Sequence, residues 1–245
     1  MQNVIWLLNT SGVTARTLDE SAARLSADSR TAAAALARPP IRRRFVLSRQ
    51  MLRTAVATTA GCDSELVTVS ECSGRAPTVT VSPAQILFVS LSHSGTWIAC
   101  VVGTEPVGVD IEFVEKKRDL LALSALFFSA AEHAWLTRQT DSNLSFYRLW
   151  TGKESVFKVA HGVGGQGAVL DVQFEVLDDS LIAPSPAGSL RFLQPVPSLM
   201  CSFASRSQDL RAMSSSAIRY LDDESLCRQR VEPLTASGDK RGATD

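Results

Sequence analysis

Seven residues, Val107-Gly108-Val109-Asp110-Ile111-Glu112-Phe113, restrict the fold of this chain more than any other stretch. Val107, Val109, Ile111 and Phe113 alternate with Gly108, Asp110 and Glu112, the period of a β-strand with one apolar and one acidic face. The apolar face needs a core to lie against, and Asp110 and Glu112 point the same way. Side by side, two carboxylates repel, and one is driven toward protonation unless a counter-charge lies between them; a hard divalent cation supplies that charge. An Asp-x-Glu triplet is also common on solvated strand faces, and taken alone it reads more often as such a face than as a metal site.

The rest of the chain changes those odds. Val4 to Leu8 predicts a buried opening strand, and Thr17 to Leu36 an alanine-rich helix ended by Pro39-Pro40. In the basic segment that follows, Ser48 can cap a helix on which Arg49 and Arg53 fall one turn apart on one face. A solvated Arg-rich helix start and an anion site explain this stripe equally well, although the guanidinium fork suits phosphate. Short β-prone pieces run from Gly61 to Val81, with Gly74-Arg75 in a turn. Ile86 to Leu91 predicts a strand leading into Ser92-His93-Ser94-Gly95, which places His93 in a loop at a strand end, where a small neighbour lets a ligand approach. Trp97 to Val102 predicts a further strand, joined to the acidic one as a hairpin through Gly103-Thr104-Glu105-Pro106.

Further on, Leu120 to Phe128 predicts a helix, and Ser129-Ala130-Ala131-Glu132 has the spacing of a capping box, which gives Glu132 a structural role. Asn143 to Ala160 predicts a long helix with Asp141 or Ser142 as its N-cap; Phe146, Leu149, Trp150, Val156, Phe157 and Ala160 form its apolar arc, with Glu154 and Lys158 along the edge. Lys153 falls in the middle of that arc, where an ammonium must snorkel out or meet an anion. Glu154 and Lys158, four apart, also suit an ordinary helix ion pair. The glycine-rich run Gly162 to Gly167 lacks the Gly-Lys-Ser/Thr ending of a phosphate loop and reads as a hinge or surface loop. Val169 to Val176, Ser189 to Leu193 and Met200 to Ser205 predict strands; beyond Arg206 the chain turns polar, with one short helix at Ser216 to Cys227 and a disordered end from Pro233.

Composition narrows the function class. The 245 residues can bury a real core, and 25 basic against 25 acidic residues leave no overall field to gather nucleic acid or an anionic membrane, so any anion site is local. Five cysteines, odd in number and never in a Cys-x-x-Cys pattern, argue against a disulfide framework and structural zinc and for a reducing cytoplasm. No apolar run approaches the roughly 18 residues of a membrane span, and no export signal opens the chain. Three carboxylates, Asp110, Glu112 and Glu154, thus stand beside several cations and a loop histidine, the inventory of a site for phosphoryl chemistry on a polyphosphate with Mg2+.

The order Gly74-Arg75-Ala76-Pro77, Leu91-Ser92-His93-Ser94-Gly95, Val107 to Glu112, Phe127-Phe128-Ser129-x-x-Glu132 and Leu149-Trp150-x-x-Lys153-Glu154-Ser155-x-x-Lys158 resembles the surfactin-type 4′-phosphopantetheinyl transferases over about Val4 to Ser205. The resemblance implies an α+β fold of two similar α/β halves with pseudo-twofold symmetry, residues 1–112 and 113–205, followed by a polar tail, 206–245. It implies Mg2+ held by Asp110, Glu112 and Glu154, and coenzyme A as substrate. Ser92 and His93 would bind phosphate, Lys153 and Lys158 would face the pyrophosphate, and Arg75 would sit by the adenine. Arg44, Arg49 and Arg53 are the candidates for the 3′-phosphate. Glu154, Lys158 and His93 form the implied catalytic set, and the acceptor would be a serine of an acyl, peptidyl or aryl carrier protein. A cytoplasmic monomer follows, since both halves of the site lie in one chain. After Lys158 the sequence departs from the family's usual Ala-x-Gly-x-Gly-Leu. Two other readings stand beside this one: an Mg2+-dependent coenzyme A or nucleotide hydrolase, and an idle carrier-binding protein.

Overall fold

The computed structural model describes residues 3–72, 76–81, 85–114, 119–161, 168–177, 180–182, 187–206 and 218–227. Strand β1 (Val4–Asn9) is followed by helices α1 (Ala15–Ala23), α2 (Ala27–Ala35) and α3 (Pro39–Ala60). The single helix expected from Thr17 to Leu36 is two, because Ser26 accepts the amide of Ser29 and starts a new helix. Pro39-Pro40 opens α3 instead of only ending what precedes it: a first-turn residue has no intrahelical partner for its N–H, so proline loses nothing there. Ser48 therefore lies inside α3, donating to the Phe45 carbonyl at 2.7 Å, and is not a cap. Gly61, at φ 68°, ends the helix in the left-handed region.

Next come β2 (Val67–Ser70), β3 (Thr78–Val81), β4 (Phe88–Ser94), β5 (Trp97–Gly103) and β6 (Val107–Phe113); α4 (Leu120–Phe127), α5 (Ala130–Thr137) and α6 (Ser142–His161); β7 (Glu175–Leu177), β8 (Ser180–Ile182), β9 (Ser189–Val196) and β10 (Leu199–Ser205); and β11 (Ile218–Leu221) with α7 (Asp223–Cys227). The fold is α+β, as expected. The hairpin predicted between β5 and β6 does not form. β5 pairs with β1 and β4 in a sheet of order β11-β1-β5-β4, whereas β6 pairs antiparallel with β10 in a second sheet, β6-β10-β9. Gly103 to Pro106 thus carries the chain from one sheet to the other. β1-β5-β4 in the first sheet and β6-β10-β9 in the second repeat one plan: a strand, a long helix, a small hairpin, then a larger hairpin whose second strand pairs back on the first strand.

Side-chain alternation stacks these parts. Trp6, Leu8, Ile98 and Cys100 face Leu47, Met51 and Leu52 of α3, while Ile5, Leu7, Ala99 and Val101 face the other way, onto Val109, Ile111, Cys201 and Phe203 of the second sheet. A sheet covered on both faces is apolar on both, which is why β1 and β5 show no polar alternation. The outer face of the second sheet is closed by α6, where Leu149, Val156 and Val159 pack with Met200 and Ala204. The layers run α3, first sheet, second sheet, α6. Residues 218–227 return to the first half, with Leu221 and Leu226 in its core and the Leu226 carbonyl accepting from Gln50 at 2.8 Å. The short helix expected near the end is present as α7; the strand before it is not legible in its polar setting.

Candidate active site

The acidic face of β6 is covered by α6, not by solvent. Gly108, Asp110 and Glu112 share that face, and at Gly108 the helix backbone comes so close that a Cβ would lie 1.9 Å from the Ser155 carbonyl oxygen. This contact seats α6 so that its next turns run past Asp110. Lys158 donates to the Val109 carbonyl at 3.1 Å and to Asp110 Oδ1 at 2.8 Å. Ser92 donates to the same Asp110 oxygen at 2.7 Å, and Ser94 to Glu112 Oε2 at 2.8 Å. Asp110 is 4% exposed, and its second oxygen, Oδ2, is buried without a hydrogen-bond partner.

Electrostatics tie the three carboxylates together. Burial, then the charges of Asp110 and Glu154, holds Glu112 above the usual glutamate range, partly opposed by the Ser94 hydroxyl and Lys158. Burial and Asp110 likewise hold Glu154 high, with Lys158 opposing. Among the described residues, the charge of Lys158 opposes all three carboxylates, and one oxygen of Asp110 is unengaged. An all-oxygen acidic set of this kind fits a hard divalent cation such as Mg2+. Among the described residues, no three His, Cys, Asp or Glu side chains are already gathered at metal-ligating spacing.

His93 is the penultimate residue of β4, paired with Ile98, and so belongs to the strand instead of the loop expected for it; the turn itself is Gly95-Thr96. Its side chain reaches solvent, yet the surrounding protein mass, then the Arg44 and Lys158 cations, keep its imidazolium below the ordinary range. Arg44 makes no hydrogen bond or ion pair among the described residues, and its charge reaches His93. The two arginines of the stripe are committed elsewhere. Arg49 grips Glu71 with two bonds of 2.7 Å, and Arg53 is buried, donating to the carbonyls of Arg24 and Ser64 and lying 3.7 Å from Glu65.

Lys153 points away from this cluster. Its ammonium and the Glu132 carboxylate are both fully buried and 2.7 Å apart, and Lys153 also donates to the Val172 carbonyl. Glu132 closes the capping box of α5 by accepting the Ser129 amide at 2.8 Å and takes the Phe174 amide at 2.8 Å. The anion that the sequence demands for Lys153 is therefore a residue already recognised for its cap. Arg75 and the glycine run Gly162 to Gly167 lie outside the described residues. Sequence reasoning missed Ser94 as a functional residue, although its place two residues after Ser92 on a strand puts both hydroxyls on one face.

Beside Glu112 opens a cavity of about 340 Å³, walled by Phe113, Leu123, Phe127, Tyr147 and Trp150. α4, which supplies Leu123 and Phe127 to this wall, also exposes Leu121 and Leu126, the latter 76% accessible.

Residues 106–212 match the family model of the 4′-phosphopantetheinyl transferase superfamily. The matched segment begins just before β6 and contains Asp110, Glu112, Glu154 and Lys158. A 4′-phosphopantetheinyl transferase of Bacillus subtilis is 33% identical over 122 residues, 48% of this chain and 51% of that protein. The 4′-phosphopantetheinyl transferase HetI of Nostoc sp. PCC 7120 is 29% identical over 182 residues, covering 73% of this chain and 77% of HetI. The transferase Sfp of Bacillus subtilis strain 168 is 38% identical over 71 residues, 28% of this chain and 31% of Sfp. The first of these matches spans about half the length of the relative. Among the described residues no helix is long and apolar enough to cross a membrane.

Proposed function

We propose that this protein transfers the 4′-phosphopantetheine group of coenzyme A to a serine of an apo carrier protein, releasing adenosine 3′,5′-bisphosphate. The observation that carries the reading is Asp110 on the segment that matches the superfamily: one of its oxygens accepts from Lys158 and Ser92 while the other is buried with no partner, and Glu112 lies on the same strand face. Asp110, Glu112 and Glu154 would hold Mg2+, which when bound would neutralise charge on the pyrophosphate.

The residues of the chain divide the remaining work. Glu154, directly or through a water, takes the proton of the carrier serine. The serine oxygen bonds to the β-phosphorus as the bond from that phosphorus to the bridging oxygen breaks, and the bisphosphate leaves with that oxygen. Lys158, beside Asp110, stabilises the charge that grows on the phosphate oxygens. Arg44 of α3, whose charge reaches His93, and His93 of β4 are our choice for the 3′-phosphate; the pairing of Arg49 with Glu71 and the burial of Arg53 argue against those two. Lys153 then serves α6 and not the pyrophosphate. Leu121, Leu126 and Phe127 of α4 offer an apolar surface to a carrier helix. We draw the line between the halves ahead of β6 instead of after Glu112, and we read the protein as a cytoplasmic monomer with both halves of the site in one chain.

Chromatography of the nucleotide products tests this reading. Adenosine 3′,5′-bisphosphate should appear only when apo carrier, coenzyme A and Mg2+ are all present; its appearance without carrier would establish the hydrolase instead.

A further inference from the structure

β4 and β6 are edge strands of different sheets, lying side by side with no backbone ladder between them. Amides along a strand alternate sides, so β6, paired through one side with β10, presents the N–H groups of Val109, Ile111 and Phe113 on the other. Three serine hydroxyls meet them in order. Ser90 Oγ accepts from Val109 at 3.1 Å, Ser92 Oγ from Ile111 at 3.3 Å and Ser94 Oγ from Phe113 at 3.1 Å. The serines recur every second residue on β4 and the amides every second residue on β6, so the two sets stay in step. A hydroxyl that accepts an N–H still has its own proton to give, and Ser92 and Ser94 give theirs to Asp110 and Glu112.

We propose that Ser90, Ser92 and Ser94 form a hydroxyl comb that locks β6 against β4 and aims the acidic residues, so that Ser92 is a positioning residue for Asp110 and Ser94 for Glu112. Each tooth that carries a carboxylate ties that side chain to the backbone amide of the residue after it, which fixes one carboxylate oxygen. Asp110 Oδ2 is the visible result: the oxygen not held by Ser92 and Lys158 is left without a partner. Ser90 has no carboxylate and only spaces the strands. The part of this inference that concerns the acidic residues rests on the metal reading proposed above; the strand-locking part does not.

The test uses the full metal-free chain and its Ser94→Ala, Ser94→Thr and Ser90→Ala variants. Amide hydrogen exchange reads the comb, and titration with Mn2+, followed by the paramagnetic signal of the free ion, reads the aiming. Ser94→Ala should speed exchange at Phe113 by about tenfold, the scale of one lost hydrogen bond. It should also raise the Mn2+ dissociation constant by about tenfold or more, as loss of an outer-shell partner does, while the cooperative unfolding transition is kept. Ser94→Thr keeps the hydroxyl and should restore both values. Ser90→Ala should speed exchange at Val109 and affect Mn2+ less than Ser94→Ala does. Wild-type exchange at Phe113 in Ser94→Ala overturns the comb, and wild-type Mn2+ affinity in that variant overturns the aiming. If the wild-type protein binds no Mn2+, the metal reading fails, and the comb is judged on exchange alone.

Discussion

Replacing Lys153 with methionine separates a structural lysine from a catalytic one. The substitution keeps an apolar stem as far as Cε, with sulfur in place of one methylene, and removes the ammonium, which lies 2.7 Å from Glu132 with both groups fully buried. Breaking such a pair from one side costs about 3–5 kcal/mol, because the other charge is left in the interior. Glu132 keeps the amides of Ser129 and Phe174, so the low end applies, about 3 kcal/mol. For a chain of this size each kcal/mol moves the midpoint by about 2–4 °C, and Lys153→Met should therefore melt about 6–12 °C lower. Adding Glu132→Gln removes the stranded charge but turns an NH2 toward one of the two amides that the carboxylate oxygens accept, so it should recover only part of that loss, and any recovery is one that no independent pair of sites would show. Thermal unfolding by circular dichroism measures the shift, and KM for coenzyme A, taken well below the melting range, should change less than threefold. A variant of wild-type stability with a KM raised tenfold or more would refute the argument and return Lys153 to the pyrophosphate.

Other residues offer equally direct outcomes. Gly108→Ala sets a methyl 1.9 Å from the Ser155 carbonyl oxygen, a backbone clash that no rotamer relieves; urea unfolding should show a loss of about 3 kcal/mol, at the upper end of overpacking costs, with transferase activity falling as α6 shifts. Arg44→Ala should raise KM for coenzyme A by about 10–100-fold, the worth of a hydrogen bond to a charged group, with little change in melting. Arg49→Ala should do the reverse, since its partner is Glu71. Glu112 and Glu154 are held above the usual glutamate range, so their contribution to the stability of the metal-free protein is full below that range and is lost as pH rises through their raised values. The Glu112→Gln/Glu154→Gln protein should therefore gain in melting temperature relative to wild type as pH is raised from about 5 to about 8, and a constant difference across that span would show that neither group is perturbed.

The parts of this molecule legible in the sequence are those written in local pattern. The alternation of β6, the capping box at Ser129 and the long amphipathic α6 all stand where their periods put them, because a strand or helix with one buried face leaves that face in the residues themselves. The partner of β6 was not legible. The Gly103 to Pro106 connection looks like a hairpin turn, but which edge a strand joins depends on residues far along the chain, here β10. The same holds for side chains. The sequence requires an anion for Lys153 and a job for Glu132 without saying that each answers the other across 21 positions of chain. The arginine stripe of α3 reads as one cationic face, yet Arg49 goes to Glu71 and Arg53 to two backbone carbonyls, since burial decides which partners a guanidinium meets.

The central claim is tested most directly by the mass of an apo carrier protein after incubation with this protein, coenzyme A and Mg2+, beside the Glu154→Ala protein as control. The account predicts a gain of about 340 Da, one phosphopantetheine, on a single serine, abolished or slowed at least a hundredfold in the control. An unchanged carrier mass across acyl, peptidyl and aryl carriers, or a gain that persists undiminished without the Glu154 carboxylate, would contradict it.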